Sequence, residues 1–96
     1  MPQRTTKILR QRVEEQWEQE GFSCDLWVET AGSALTDFVH DLDQRILLID
    51  GILVVEMNDK VLRLHPGDQV CIPGGTRHTL RNVHDGTTRW LYGYRT

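Results

Sequence analysis

Two rhythms of apolar and polar residues divide this chain. Between Lys7 and Glu20 there is no Gly or Pro, and Ile8, Leu9, Val13 and Trp17 recur at helical spacing. Thr5 or Thr6 can cap the start of such a helix, and Gly21 can close its end. Its charges run against the helix dipole: Lys7, Arg10 and Arg12 come early, and Glu14, Glu15, Glu18 and Glu20 late. A helix charged in that order needs its apolar stripe docked on something else. The pattern predicts a surface helix over residues 1–21 that packs on the remainder.

From Phe22 onward the period becomes two. Phe22, Cys24, Leu26 and Val28 alternate with Ser23, Asp25, Trp27 and Glu29. Turn residues then punctuate a series of short strands: Ala31-Gly32-Ser33, Asp41-Leu42-Asp43, Gly51, Asn58-Asp59, Pro66-Gly67-Asp68, Pro73-Gly74-Gly75 and His84-Asp85-Gly86. The strands between them are Leu35 to His40, Arg45 to Asp50, Ile52 to Met57, Val61 to Leu64, the run ending at Ile72, His78 to Val83, and a last one through Trp90, Tyr92 and Tyr94. Many short strands at regular spacing predict an antiparallel sandwich or barrel over residues 22–96. The chain is thus expected to be one mainly β domain with one N-terminal α-helix.

Alternation also predicts which side chains face inward. With His40 inside, Phe38 and Thr36 join it, while Leu35 and Val39 face out. With Gln44 inside, so are Ile46 and Leu48. Val70 and Ile72 share one face, as do His78, Leu80 and Asn82, which turns Cys71 away. The expected interior is apolar, with His40, His78 and Gln44 at one end. The outward positions Leu47, Ile49, Ile52 and Val54 are apolar too. As one patch they call for cover by the helix and by a second copy, hence an expected homodimer.

The stretch from Gly67 to Asn82 carries the most specific spacing. It reads G, five residues, P, one residue, G, two residues, H, three residues, N. This resembles the second signature motif of the cupin superfamily, in its small conserved-barrel, RmlC-like type. The first cupin motif, laid on this chain, runs Gly32, Phe38, His40, Gln44, Gly51. Its spacing holds, but Phe38 stands where a His is expected and Gln44 where a Glu is expected. The resemblance covers roughly residues 22–94. It implies a small jelly-roll barrel with Leu53, Val55 and Met57 also inside. It implies a metal site reduced to His40 and His78, with Gln44 able to add an amide oxygen. The pocket it implies is lined by Phe38, Thr36, Ile46, Leu48, Val55, Met57, Ile72, Leu80 and Trp90.

Several chemistries fit that site. One divalent transition metal (Zn, Ni, Fe or Mn) could sit on the two imidazoles. The two His could instead hydrogen-bond each other, Gln44 or water beside a small organic ligand. One His could serve as a general base. Of the nearby carboxylates Asp37, Asp41 and Asp43, the last is one residue off register and faces the other way. Trp27, Trp90, Tyr92 and Tyr94 are candidates for a ligand-selecting mouth, and Arg77 for a rim charge. His65 and His84 read as solvated turn residues. The expected function is binding of a small organic ligand. The alternative is a metal-dependent oxygenase or isomerase acting on a small organic acid or sugar derivative.

Composition narrows the classes. The 96 residues fit one small domain, leave no room for a separate DNA-binding domain, and carry a net charge of −3, against nucleic acid as a partner. There is no leader pattern and no apolar run of membrane-spanning length, which predicts a cytoplasmic protein. The two cysteines, Cys24 and Cys71, form no metal or disulfide pattern and read as small buried hydrophobes.

Overall fold

The computed structural model describes residues 10–96. Expectations placed on Thr5, Thr6, Lys7, Ile8 and Leu9 lie outside those residues. Helix α1 (Arg10–Gln19) is followed by β1 (Asp25–Glu29), β2 (Ala34–Phe38), β3 (Gln44–Asp50), β4 (Leu53–Met57), β5 (Lys60–Leu64), β6 (Gln69–Ile72), β7 (His78–Asn82) and β8 (Thr88–Tyr94). The strands form two antiparallel four-stranded sheets, in the orders β1-β8-β3-β6 and β2-β7-β4-β5. The architecture is the expected mainly β barrel with one helix. Among the described residues no helix is long and apolar enough to cross a membrane.

Between the sheets lies a core of Ile46, Leu48, Leu53, Val55, Leu64, Val70, Ile72, Leu80 and Trp90. Strict alternation on β6 and β7 delivers the inward residues: Val70 and Ile72 are buried while Gln69 and Cys71 are exposed. Cys71 is therefore not a buried hydrophobe, because it sits on the outer face of an edge strand. Cys24 is partly buried, and burial pushes its thiol up to about 11.

The helix covers the outer face of the first sheet. Trp17 and Phe22 bury themselves against Leu47 and Leu91, forming a second apolar cluster. The turn that brings them together is a paired cap. Gly21 N–H donates to Glu18 O at 3.1 Å, and Phe22 N–H to Trp17 O at 2.8 Å. Arg45 lays its guanidinium over the Phe22 ring, 4.0 Å from the centroid, and pairs with Glu20. The first turn of α1 holds no acid and the last turn no base, so packing rather than the dipole supports it.

The apolar outward residues do not form the single patch expected. Leu47 and Ile49 lie on β3 in the first sheet, Val54 on β4 in the second. The chain changes sheets at Gly51, whose φ is 91°. A Cβ there would lie 2.1 Å from Thr88 Oγ1, so the crossing requires glycine. Leu47 and Val54 are each only 8% exposed within one chain. Leu47 is covered by the helix, and Val54 lies across from Arg63 and Arg81. Leu47 and Val54 are thus covered within one chain and belong to different sheets.

Asn82 ties the far end of the barrel. Its side-chain amide donates to Glu29 O (3.1 Å), Thr30 O (2.8 Å) and Gly86 O (3.0 Å). Its Oδ1 accepts from His84 N–H at 3.0 Å and the Thr88 hydroxyl at 2.7 Å. The last position of the spacing motif is structural: every polar atom of this buried amide is used.

Candidate functional site

Two loops converge at the other end. The segment after β2 carries His40, and the Pro73-Gly74-Gly75 turn leads into β7 and His78. They are stapled backbone to backbone. Gly75 N–H donates to His40 O at 2.7 Å. Gly74 N–H donates to Asp43 Oδ1 at 2.8 Å, and a Cβ on Gly74 would lie 2.3 Å from Asp41 O. Only glycine permits that approach. The amide of Gly74, followed by Arg95, holds the Asp43 carboxyl below the usual carboxylate range. Asp43 is thus spent on holding the loop.

His78 is 3% exposed, and its Nδ1 lies 2.9 Å from Thr76 O. A carbonyl only accepts, so Nδ1 carries a proton, which in the neutral ring leaves the lone pair on Nε2. His40 faces it, ring centroids 5.3 Å apart. The Tyr94 hydroxyl lies 3.3 Å from His40 Nε2. Burial first, and His78 second, push the His40 pKa below the ordinary value. Burial first, then Tyr92, raises that of Tyr94, which stays a protonated phenol able to donate to His40.

A cavity of about 130 Å³ opens beside these groups. His40, His78, Gln44, Phe38, Leu80 and Trp90, all expected there, line it. Ile46, Leu48, Val55 and Ile72 do point inward, but pack below it in the core at no more than 1% exposure. Met57 packs on the core and borders a separate shallow groove with Arg77.

Thr36 is a correction. It is exposed, and Leu35 takes the inward place. Leu35 lies opposite Leu80 and Phe38 opposite His78, so three steps on β2 match two on β7. That bulge reverses the alternation between Leu35 and Phe38.

Trp27, Tyr92 and Tyr94 complete the lining. Trp90, Tyr92 and Tyr94 share one face of β8, and Trp27 sits opposite Trp90 on β1. Ring contacts run unbroken from Trp90 through Trp27 (6.4 Å), Tyr92 (5.9 Å), Tyr94 (6.0 Å) and His40 (5.0 Å). The sequence offers Trp27, Tyr92 and Tyr94 as candidates for the mouth; period two on β8 aligns Tyr92 and Tyr94 with Trp90, and the β1–β8 pairing sets Trp27 beside them. His65 is exposed in its turn and His84 half-buried in its own.

The donor set does not fit a catalytic metal shell. Among the described residues no group of three or more His, Cys, Asp or Glu is placed to hold a metal ion. Two imidazoles and a neutral amide make three donors, but the third is neither the imidazole nor the charged ligand usual at catalytic centres. Gln44 is 5% exposed, and its Oε1 is buried with no partner. An unpaired buried acceptor costs about 1–3 kcal/mol. That cost marks Gln44 as a group kept for something other than packing.

The model of the family described as "Cupin domain" matches residues 27–94. No curated protein matches the chain in sequence. Solved structures share its shape at low identity. A cupin superfamily protein of Desulfitobacterium hafniense is 18% identical with a TM-score of 0.70, over 79% of this chain and 68% of that one. A Cupin 2 conserved barrel domain protein from Salinispora arenicola is 20% identical with a TM-score of 0.71, over 79% and 64%. Oxalate oxidase in complex with the substrate analogue glycolate is 16% identical with a TM-score of 0.72, over 80% and 43%. The chain spans 68% or less of each of these three structures.

Proposed function

The chain belongs to the cupin family, and on that footing we propose that it binds a small organic molecule in the aromatic-walled cavity beside His40 and His78. The observation that carries this reading is convergence. Two histidines, an amide with an unpaired buried oxygen and a run of aromatic rings meet in one concave site. At about 130 Å³ the cavity is smaller than the roughly 300–1,000 Å³ typical of drug-sized ligands. The occupant is compact, or inserts one compact group.

In this reading the histidine pair is a reduced metal site and metal is not required. The alternative, a metal-dependent oxygenase or isomerase, needs ligands that Phe38 and Gln44 do not supply. Elemental analysis of protein purified without added metal separates the two. Substoichiometric metal, together with saturable ligand shifts at the Trp27 and Trp90 indoles, is expected. One tightly held transition metal per chain would overturn the reading in favour of the enzyme.

A further inference from the structure

We propose that the cavity selects a small organic cation, a compact alkylammonium group, with Trp27 as its main contact and Glu29 as the residue that strengthens that contact. The inference rests on the ligand-binding reading above and names the class of ligand. Its first support is the charge of the lining. None of the ten residues around the cavity is Asp, Glu, Lys or Arg. A carboxylate ligand would meet no cation there and would face aromatic rings whose π surfaces are negative. An ammonium group meets those surfaces favourably, and aromatic enclosures are a known solution for alkylated ammonium ions.

The second support is independent of the lining. The Trp27 indole N–H donates to Glu29 Oε1 at 2.8 Å. A carboxylate on the indole N–H pushes electron density toward the ring, which deepens the attraction of its face for a cation. It also sets a net negative charge 2.8 Å from the edge of one lining ring without placing an acid in the lining. Gln44 and His78 add acceptor capacity: an amide oxygen without a partner and the Nε2 lone pair left by the Thr76 hydrogen bond. Glu29 acts through Trp27 and is a positioning residue.

The test compares three probes of similar shape by NMR titration of the intact chain: tetramethylammonium, uncharged tert-butyl alcohol and anionic pivalate. The expected result is saturable shifts of the Trp27 and Trp90 indole signals, with tetramethylammonium bound roughly 2–30-fold tighter than tert-butyl alcohol and pivalate weakest. Glu29→Gln keeps an acceptor for the indole but removes the charge. It should weaken tetramethylammonium about 2–5-fold and leave tert-butyl alcohol unchanged. Equal affinity for cation and alcohol overturns the charge selection while leaving ligand binding intact. Tighter binding of pivalate overturns it in favour of an acid. Equal loss of both probes in Glu29→Gln overturns the role of Glu29, and no saturable shift with any probe overturns the cavity reading as well.

Discussion

The amide of Gly75 donates to the carbonyl of His40 at 2.7 Å, so the turn that leads to one histidine fixes the loop that carries the other. His40 stands outside any strand; this bond ties its backbone to the turn before His78, and the Tyr94 hydroxyl and the Phe38 ring meet its imidazole. The spacing of glycines in the second motif is therefore a device for placing a residue of the first.

Gly74→Ala tests that device. The new Cβ would meet Asp41 O at 2.3 Å, and a backbone oxygen cannot swing aside. The expected cost is about 1–3 kcal/mol, a Tm loss of roughly 4–8 °C per kcal/mol in a chain of this size. Calorimetry reads it, and an unchanged Tm would show that the two loops are not locked.

Asn82→Ala removes the donor shared by three carbonyls and the acceptor of two donors. Loss of about 2–4 kcal/mol is expected in urea unfolding, since the stranded groups stay partly buried. The site lies at the other end of the barrel, so variants that remain folded should keep their ligand affinity. A cost under about 0.5 kcal/mol, the range of ordinary surface changes, would contradict the tie.

Phe38→His with Gln44→Glu restores the residue types that the family spacing expects. Phe38 already lies beside both histidines, with ring centroids 5.8 Å and 6.3 Å away, so the added donors arrive where ligands are needed. Metal content after growth with added Zn or Ni should rise toward one per chain. A folded double variant with no gain would remove these positions from the site.

His40 should titrate below its ordinary value of 6.5 in an NMR pH series, because burial and then His78 disfavour its charged form. The sign follows from proton linkage. As pH falls through 6.5 the unfolded chain takes up the proton first, so stability declines with acidification until the folded His40 titrates as well. His78→Ala should raise the His40 pKa only partway, since burial is the larger cause. An ordinary or elevated value in the parent would contradict the described burial.

The β strands were legible because alternation alone reports them; β3 to β8 lie within a residue or two of their expected bounds. Thr36 was misplaced because the bulge between Leu35 and Phe38 is a backbone insertion that no side-chain pattern announces. Leu47 and Val54 were grouped because alternation gives in or out but not which sheet, and the chain changes sheets between them. Trp27 could be named as a mouth candidate from its type, but its contact with Trp90 was not legible, because that partner comes from the last strand. His40, His78 and Gln44 were easier, since fixed spacing around glycine turns leaves few geometries.

The pairing of β1 with β8 also orders events in time. Trp27 reaches Trp90 only when the first strand meets the last, which closes the longest loop the barrel contains. Such distant pairings carry a loop-closure cost and slow the search, so the aromatic wall is expected to form late and to open with the edge strand. A molecule bound against Trp27, as proposed, would act as a clasp on that final closure. It would lower the opening rate of β1 and stabilise the closed form by RT ln(1 + [L]/Kd). Amide hydrogen exchange in β1 is where occupancy would first be felt.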